Sequence, residues 1–409
     1  MPVSVARAIP QRLWLSPPRP LPASLATLAD IGDESDAIGS ARRDAIWRSM
    51  KHFYRTGMNP AMSLAIRHRG ELVFNRALGY ADVDSGRLLK VDDPVCLFSA
   101  SKAVTALLVH LLVDQGKLRL DDKIADYIPE YAANGKGNTS VRDLLAHRAG
   151  IPRLDVADPE LMFNREEGLK RLLAARPATP AGSRQAYHAV TGGFVLGELI
   201  ERITGKELNQ VLDEALRQPL GMRYFHYGIQ GDDQTRVPRH YLTGLKSSLL
   251  DRYITHAVGT NLTEVVSVSN DTRFMETVVP AGNLYATAEE CTRFYQLLLD
   301  GGRWQGQQLL QSASVRQAIK PVSAPFVIDG SLLLPVRFSA GFMLGARLAS
   351  LFGVGTPRAF GHLGFISITT WADPERQLSV SLLTTGKGVL GPQLPAMFKL
   401  FGEINKLRA

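Results

Sequence analysis

Ser99 and Lys102 are the residues of this chain whose types and spacing most directly suggest chemistry. They lie three positions apart in the run Phe98-Ser99-Ala100-Ser101-Lys102, and Ser-x-x-Lys occurs nowhere else in the sequence. Residues three apart on a helix lie on one face of it. The Lys102 amine can therefore take the proton of the Ser99 hydroxyl while the oxygen attacks a carbonyl carbon, which is the chemistry of serine acyl transfer.

A helix that positions this pair is predicted independently of the chemistry. Gly116 follows as a C-terminal stop, and apolar residues recur with the helical period at Ala103, Val104, Leu107, Leu108, Leu111 and Leu112. Lys102 should then be partly buried, which lowers the pKa of a lysine and allows it to act as a base. The free N–H groups of the first turn favour an anion that develops at Ser99.

Tyr187 and His188 precede a second, amphipathic helical pattern that includes residues 199–203. A tyrosine in the loop at a helix start can place its phenol in a cleft, and beside a cationic lysine its phenolate form is favoured. The alternative is an aromatic ring packed under the helix. His188 either turns to solvent or tunes the phenol, and it is a candidate substrate contact.

A third run, residues 360–371, has the pattern of a strand that begins at its first glycine. Glycine lets backbone approach a ligand closely, and Gly364 is a candidate substrate contact. His362 would provide a neutral donor or a proton carrier, and the Phe365 N–H would join the Ser99 N–H in an oxyanion hole. Asn283 either reaches the cleft as a substrate contact or has a turn role.

Ser99-x-x-Lys102, Tyr187-x-Ala189 and His362-x-Gly364, in this order, resemble the serine β-lactamase and penicillin-binding-protein superfamily. The chain is most similar to the branch of class C β-lactamase-like esterases and D-amino-peptidases. Supporting stretches are residues 140–151, 219–222, 286–290 and 371–374, and the resemblance covers roughly residues 46–390. It implies that Ser99 is the nucleophile, that Lys102 is its proton partner and that Tyr187 passes the proton to the leaving atom. His362 stands where many relatives have lysine.

Two departures from this pattern indicate the substrate. Ala189 occupies the position of the asparagine in class C lactamases, and the chain contains no Lys-Thr-Gly. A neutral His362 is a poor partner for the carboxylate of a lactam antibiotic. We therefore predict a serine hydrolase that acts through an acyl-enzyme, as a carboxylesterase or acyltransferase on small acyl esters. The alternatives are a β-lactamase or D-amino-acid peptidase on the same scaffold, or a catalytically silent ligand-binding protein.

The fold class follows from the order of the patterns. Residues 63–68 and 71–79 predict one β-hairpin, and residues 365–371 and 377–384 predict another around Asp373-Pro374. We predict an α/β plus α fold, with an antiparallel sheet flanked by helices and an inserted mainly helical subdomain, as the resemblance also implies. Residues 1–40 would form a proline-rich extended arm, with ordered structure starting near Ala41. Residues 41–120 and 275–409 would form a discontinuous α/β domain, and residues 121–274 the helical subdomain.

Composition excludes several classes of function. The 409 residues carry a net charge of +8, but the basic residues are scattered, which argues against a nucleic-acid partner. No apolar run approaches the length of a membrane span, and we predict a cytoplasmic protein. Cys96 and Cys291 should be reduced and buried, and the nine histidines show no metal-binding spacing. We expect no metal and no cofactor. The partner is a small-molecule acyl substrate, and the oligomeric state is left open.

Overall fold

The structure is a computed structural model that describes residues 14–15, 21–22, 24–154 and 159–408. Its strands are β1 (Trp14–Leu15), β2 (Ala29–Ile31), β3 (Ala61–His68), β4 (Glu71–Asp82), β5 (Arg87–Leu88), β6 (Val95–Cys96), β7 (His226–Tyr227), β8 (Gly244–Leu245), β9 (Leu284–Ala286), β10 (Arg303–Trp304), β11 (Gln307–Gln308), β12 (Arg337–Phe338), β13 (Met343–Leu344), β14 (Phe360–Leu363), β15 (Thr369–Asp373) and β16 (Leu378–Thr384). Its α-helices are α1 (Ser40–Tyr54), α2 (Ser101–Asp114), α3 (Val141–Leu145), α4 (Arg165–Ala174), α5 (Thr191–Thr204), α6 (Leu208–Leu212), α7 (Ser248–Val258), α8 (Leu262–Ser269), α9 (Thr272–Glu276), α10 (Ala288–Leu299), α11 (Ser312–Ala318) and α12 (Gln393–Ile404).

An antiparallel sheet joins the two ends of the chain. Its order is β12-β13-β14-β15-β16-β3-β4-β2, with β5 paired to β4. Side chains alternate across a strand, so Leu64 and Ile66 of β3 enter the apolar cluster with α1 and α12. Ala65 instead enters the cluster formed with α2, α5 and α10. Helices therefore cover both faces of the sheet, and the predicted fold class is confirmed.

Helix α2 lies at the centre of the larger apolar cluster. Residues 101–112 are all buried, including the polar Ser101, Lys102, Thr105 and His110, because neighbouring elements cover the helix on every side. The prediction for this helix is confirmed, and Gly116 follows it in the left-handed conformation that favours glycine. Residues of α5 and α10 belong to the same cluster, so other helices pack against α2 on several sides.

Two predicted boundaries were wrong. Ordered structure starts before Ala41, since Leu25 and Leu28 are buried with α1, and β2 pairs with β4 as the edge strand of the sheet. Residues 1–13, 16–20 and 23, also predicted to form the arm, lie outside the described residues. The strand predicted from Phe365 begins only at Thr369. Residues 364–368 instead form a tight turn, which is closed by a hydrogen bond from the Gly364 N–H to the Ile368 carbonyl.

The segment between α2 and β9 is mainly helical and contains α3 to α9. The limits of 121–274 for a separate subdomain remain a prediction. Cys96 and Cys291 are buried and unbridged, as predicted. Among the described residues, no helix is both long enough and apolar enough to cross a lipid bilayer.

Candidate active site

Ser99 lies in a turn that leads from β6 into α2. The 3₁₀ turn Phe98–Ala100 contains it, and Phe98 has a φ of 46°, a strained conformation for a bulky side chain. Ser101 secures the turn, because its hydroxyl donates to the Phe98 carbonyl at 2.6 Å and accepts from the Leu284 N–H at 3.0 Å. The second of these hydrogen bonds connects the strained turn to β9. Ser99 itself is partly exposed.

Lys102 is buried and faces three oxygens. Its Nζ lies 3.1 Å from Ser99 Oγ, 2.6 Å from the Ala189 carbonyl and 3.0 Å from the Ala281 carbonyl. Burial lowers the pKa of Lys102 well below its ordinary value. Carbonyl oxygens only accept, so a neutral amine donates its two N–H groups to them. Its lone pair then faces the Ser99 hydroxyl.

Asn283 organises the turn that carries one of these carbonyls. Its Oδ1 accepts from the Val279 N–H at 2.8 Å, and its Nδ2 donates to the carbonyls of Phe274 at 2.8 Å and Thr277 at 2.7 Å. The side chain is fully buried, and its amide is satisfied within the protein. The substrate-contact prediction was therefore wrong, and the turn role applies. Asn283 holds the turn from which the Ala281 carbonyl reaches Lys102.

Tyr187 is buried beside Lys102. Its ring centroid lies 4.9 Å from the Lys102 Nζ and 4.8 Å from the His147 ring, and its backbone N–H donates to the Asp329 carboxylate at 3.0 Å. Burial raises the pKa of Tyr187 above its ordinary value, and a hydrogen bond with Ser99 opposes this rise only in part. The phenol is therefore protonated, and the expectation of a phenolate was wrong, because burial disfavours the charged form of the phenol.

His362 lies in β14, fully buried, with its ring centroid 6.3 Å from that of Tyr187. Its Nδ1 is 2.6 Å from the Leu363 carbonyl, which only accepts, so Nδ1 carries the ring proton. Burial, reinforced by Lys102, lowers the pKa of His362 to about 3. Its Nε2 is a lone-pair acceptor with no partner among the described residues. The donor alternative is thus corrected to that of an acceptor, and the proton-carrier alternative stays a prediction.

The turn after β14 approaches the turn that holds Ser99. A Cβ atom added at Gly364 would lie 2.5 Å from the Leu97 carbonyl oxygen, so only glycine permits this approach. The rings of Phe98 and Phe365 lie 5.6 Å apart across the junction. Neither the Ser99 N–H nor the Phe365 N–H donates to any residue in the described ranges. Both remain free for an oxyanion, and the predicted oxyanion hole and Gly364 contact stay predictions.

His147 and His188 form a buried pair behind Tyr187. The His188 backbone N–H donates to His147 Nδ1 at 3.1 Å, and the two rings stack with centroids 5.4 Å apart. Burial lowers the pKa of His188 to about 3. His188 and Lys102 line a small pocket of about 20 Å³, enough for roughly one water. His188 therefore faces the interior rather than solvent, and its predicted substrate contact has no support in this position.

Sequence reasoning missed His147 and Lys387. The His147 ring lies beside the Tyr187 ring, with the two ring centroids 4.8 Å apart. Only its place in the family-like stretch 140–151 indicates that position. Lys387 is buried, with its Nζ 2.9 Å from the Thr384 carbonyl, 3.4 Å from the Phe365 carbonyl and 4.7 Å from the Phe98 ring centroid. Burial lowers the pKa of Lys387 to about 7. Its amine faces these internal groups rather than the cleft.

Comparison with known proteins identifies the family of this chain. The model of the Beta-lactamase family matches residues 50–395. The chain belongs to the Beta-lactamase family. Within that family it is a serine hydrolase, which agrees with the hydroxyl, amine and phenol gathered at Ser99.

Two curated relatives and one solved structure show how similar the chain is to known proteins. The esterase/β-lactamase LipL of Mycobacterium tuberculosis is 28% identical over 339 residues, which are 78% of this chain and 76% of LipL. Esterase EstB of Burkholderia gladioli is 30% identical over 220 residues, 49% of this chain and 55% of EstB. The structure of a penicillin-binding-protein homologue from Caulobacter crescentus is 26% identical with a TM-score of 0.80, and the match covers 92% of this chain and 99% of that one.

Proposed function

We propose that this protein is a carboxylesterase that cleaves small acyl esters through an acyl-Ser99 intermediate. The observation that carries the proposal is the weakly charged site: a lysine whose pKa is lowered by burial faces Ser99, and the buried His362 is neutral at pH 7. The resemblance described above implies a lysine at this position in many relatives. The names of LipL and EstB, both esterases, support the same class of substrate.

Acylation begins at the Ser99 hydroxyl. Lys102 accepts the hydroxyl proton on its lone pair while Ser99 Oγ bonds to the ester carbonyl carbon. The two carbonyl partners of Lys102 remain hydrogen-bonded as it becomes an ammonium, so the group does not have to move. The free N–H groups of Ser99 and Phe365 then bind the oxyanion of the tetrahedral intermediate.

Tyr187 completes the collapse of that intermediate. Its phenol donates a proton to the departing alkoxide as the ester C–O bond breaks, and the resulting phenolate takes the proton held by Lys102. The alcohol leaves, and Lys102 is neutral again. Water repeats the sequence in the second half of the cycle. We assign to the free His362 Nε2 the acceptance of a hydrogen bond from this water or from an alcohol.

Ester hydrolysis suits this site better than lactam hydrolysis, because the carboxylate of a lactam antibiotic needs a fixed cation. His362 carries no charge at pH 7, and Lys387 faces backbone carbonyls and an aromatic ring. An alkoxide is also expelled more readily than an amide nitrogen. The name of LipL includes β-lactamase, so lactam hydrolysis is the second candidate.

The test compares purified protein on p-nitrophenyl acetate and butyrate, a chromogenic cephalosporin and a D-alanyl anilide. We expect ester turnover with the largest kcat/KM, abolished in Ser99→Ala, and we expect added methanol to divert part of the acyl group to a methyl ester. A kcat/KM for the cephalosporin or the anilide above that for the esters would overturn the proposal. So would a failure of fluorophosphonate probes to label Ser99, which would identify a silent ligand-binding protein.

A further inference from the structure

The segment of residues 325–335, here called the apolar loop, presents large hydrophobic side chains to solvent. The exposed fractions are 84% for Phe326, 59% for Ile328, 55% for Leu333 and 46% for Leu334. Single exposed apolar residues are common on protein surfaces, but several within one short loop are not. Burial against the part of the chain that the structure describes does not explain their presence.

Backbone strain accompanies this exposure. Phe326 has a φ of 63° and Leu333 a φ of 54°, in the left-handed region that bulky side chains rarely adopt. The loop is nevertheless braced, because the buried Asp329 carboxylate accepts hydrogen bonds from the N–H groups of Ser331 and Leu332, both at 2.9 Å. Strain that is held in place by a built hydrogen-bond network points to a function for the strained residues.

Helix α7 extends the same surface. The Tyr253 hydroxyl donates to the Leu332 carbonyl at 2.7 Å, and His256 Nε2 donates to the Gly330 carbonyl at 3.0 Å. Leu249 lies one turn before Tyr253, on the same side of the helix, and is 71% exposed. The apolar loop and α7 therefore form one continuous element with exposed hydrophobic side chains.

Basic side chains surround this element. Arg153, Arg184, Lys246 and Arg252 are all exposed, and none forms an ion pair with a residue that the structure describes. The Arg153 guanidinium donates to the His256 carbonyl at 3.2 Å, and the Arg184 guanidinium lies against Gly330. The one acidic residue of α7 is the half-buried Asp251. Within the described ranges, these four basic side chains therefore have no acidic side chain as an ion-pair partner.

We propose that the apolar loop and α7 dock on an anionic lipid bilayer, with Phe326 and Leu333 inserted among the acyl chains and the basic side chains against the headgroups. Apolar side chains rimmed by lysine and arginine are the combination that binds such surfaces, and both components are present here. Charge complementarity favours this occupant over a second copy of the chain, which would bring a second positive patch to the first.

Docking would place the candidate active site beside the lipid. Asp329 of the apolar loop accepts the N–H of Tyr187, and the Gly330 N–H donates to the Gln185 carbonyl. The substrates favoured by this arrangement are esters dissolved in the bilayer. That consequence rests on the proposed esterase function, whereas membrane binding itself does not.

Sedimentation with phosphatidylcholine vesicles, with and without phosphatidylglycerol, tests the proposal. Wild-type protein should sediment with the anionic vesicles. Phe326→Asn with Leu333→Asn should lower the partition coefficient at least about tenfold, since asparagine tolerates a positive φ and preserves the loop. Arg252→Gln should lower it about fivefold, the effect of one basic residue near an anionic surface. The matched controls are Leu348→Asn, 81% exposed on another loop, and Arg48→Gln, an exposed arginine of α1.

Absence of wild-type binding to the anionic vesicles would overturn the proposal, as would equal losses in the control variants. A change in oligomeric state in the double variant without vesicle binding would instead identify a self-association surface. Hydrolysis of soluble p-nitrophenyl acetate, measured on every variant, separates the two proposals. Turnover without vesicle binding refutes docking alone, and vesicle binding without turnover refutes the esterase alone.

Discussion

Asn283→Ala distinguishes an internal brace from a substrate contact at this position. The substitution removes three hydrogen bonds of a fully buried amide. At about 1 kcal/mol for each bond, the free energy of unfolding should fall by about 3 kcal/mol. The loosened turn also carries the Ala281 carbonyl, which orients Lys102. Misplacement of a catalytic group by about 1 Å costs roughly 100-fold, so kcat should fall by about that factor.

The assay combines urea unfolding with steady-state hydrolysis of p-nitrophenyl butyrate. KM should change little, because the Asn283 side chain does not reach the cleft. The matched control is Asn405→Ala, at the residue that follows α12. It removes one buried hydrogen bond, from the Asn405 side chain to the Phe352 carbonyl. It should lower the free energy of unfolding by about 1 kcal/mol without changing kcat. If Asn283→Ala kept wild-type stability and raised only KM, the bracing role would be refuted.

Three further predictions follow from the site. Activity requires neutral Lys102, so kcat/KM should fall as the pH decreases through the lowered pKa of Lys102 and should stay constant across the ordinary lysine range; a rise only near that ordinary pKa would contradict the assignment. Tyr187→Phe should lower kcat for alkyl esters by about 100-fold or more but much less for nitrophenyl esters, whose leaving group needs no proton; equal losses would exclude the proton-donor role. Gly364→Ala should reduce both stability and activity, because its Cβ would meet the Leu97 carbonyl, whereas Gly402→Ala, with no neighbour within 4 Å, should reduce neither.

The sequence was sufficient to predict those strands and helices whose buried apolar residues recur with a regular period. The β3-β4 and β15-β16 hairpins and the helices α2 and α5 were predicted because each buries a recognisable apolar pattern. Edge strand β2 was missed, since three residues have no period of their own and pair only because β4 has a free edge.

Some features of the candidate site could likewise be predicted from the sequence, and others could not. Ser99 and Lys102 could be placed by helical spacing, because three residues separate them on one turn. The other partners of Lys102 are the main-chain carbonyls of Ala189 and Ala281. A residue of any type has such a carbonyl, so the sequence does not indicate these contacts. The charge states of Tyr187 and His362 depend on complete burial, which is a property of the assembled fold.

The proposed reaction requires that Ser99 becomes acylated with the help of Lys102. Intact-mass measurement after rapid mixing with p-nitrophenyl butyrate, followed by peptide mapping, tests it most directly. The account predicts one butyryl adduct on the peptide that contains Ser99, absent in Ser99→Ala and formed at least about 100-fold more slowly in Lys102→Met. An adduct on another residue, or an undiminished rate in Lys102→Met, would contradict it.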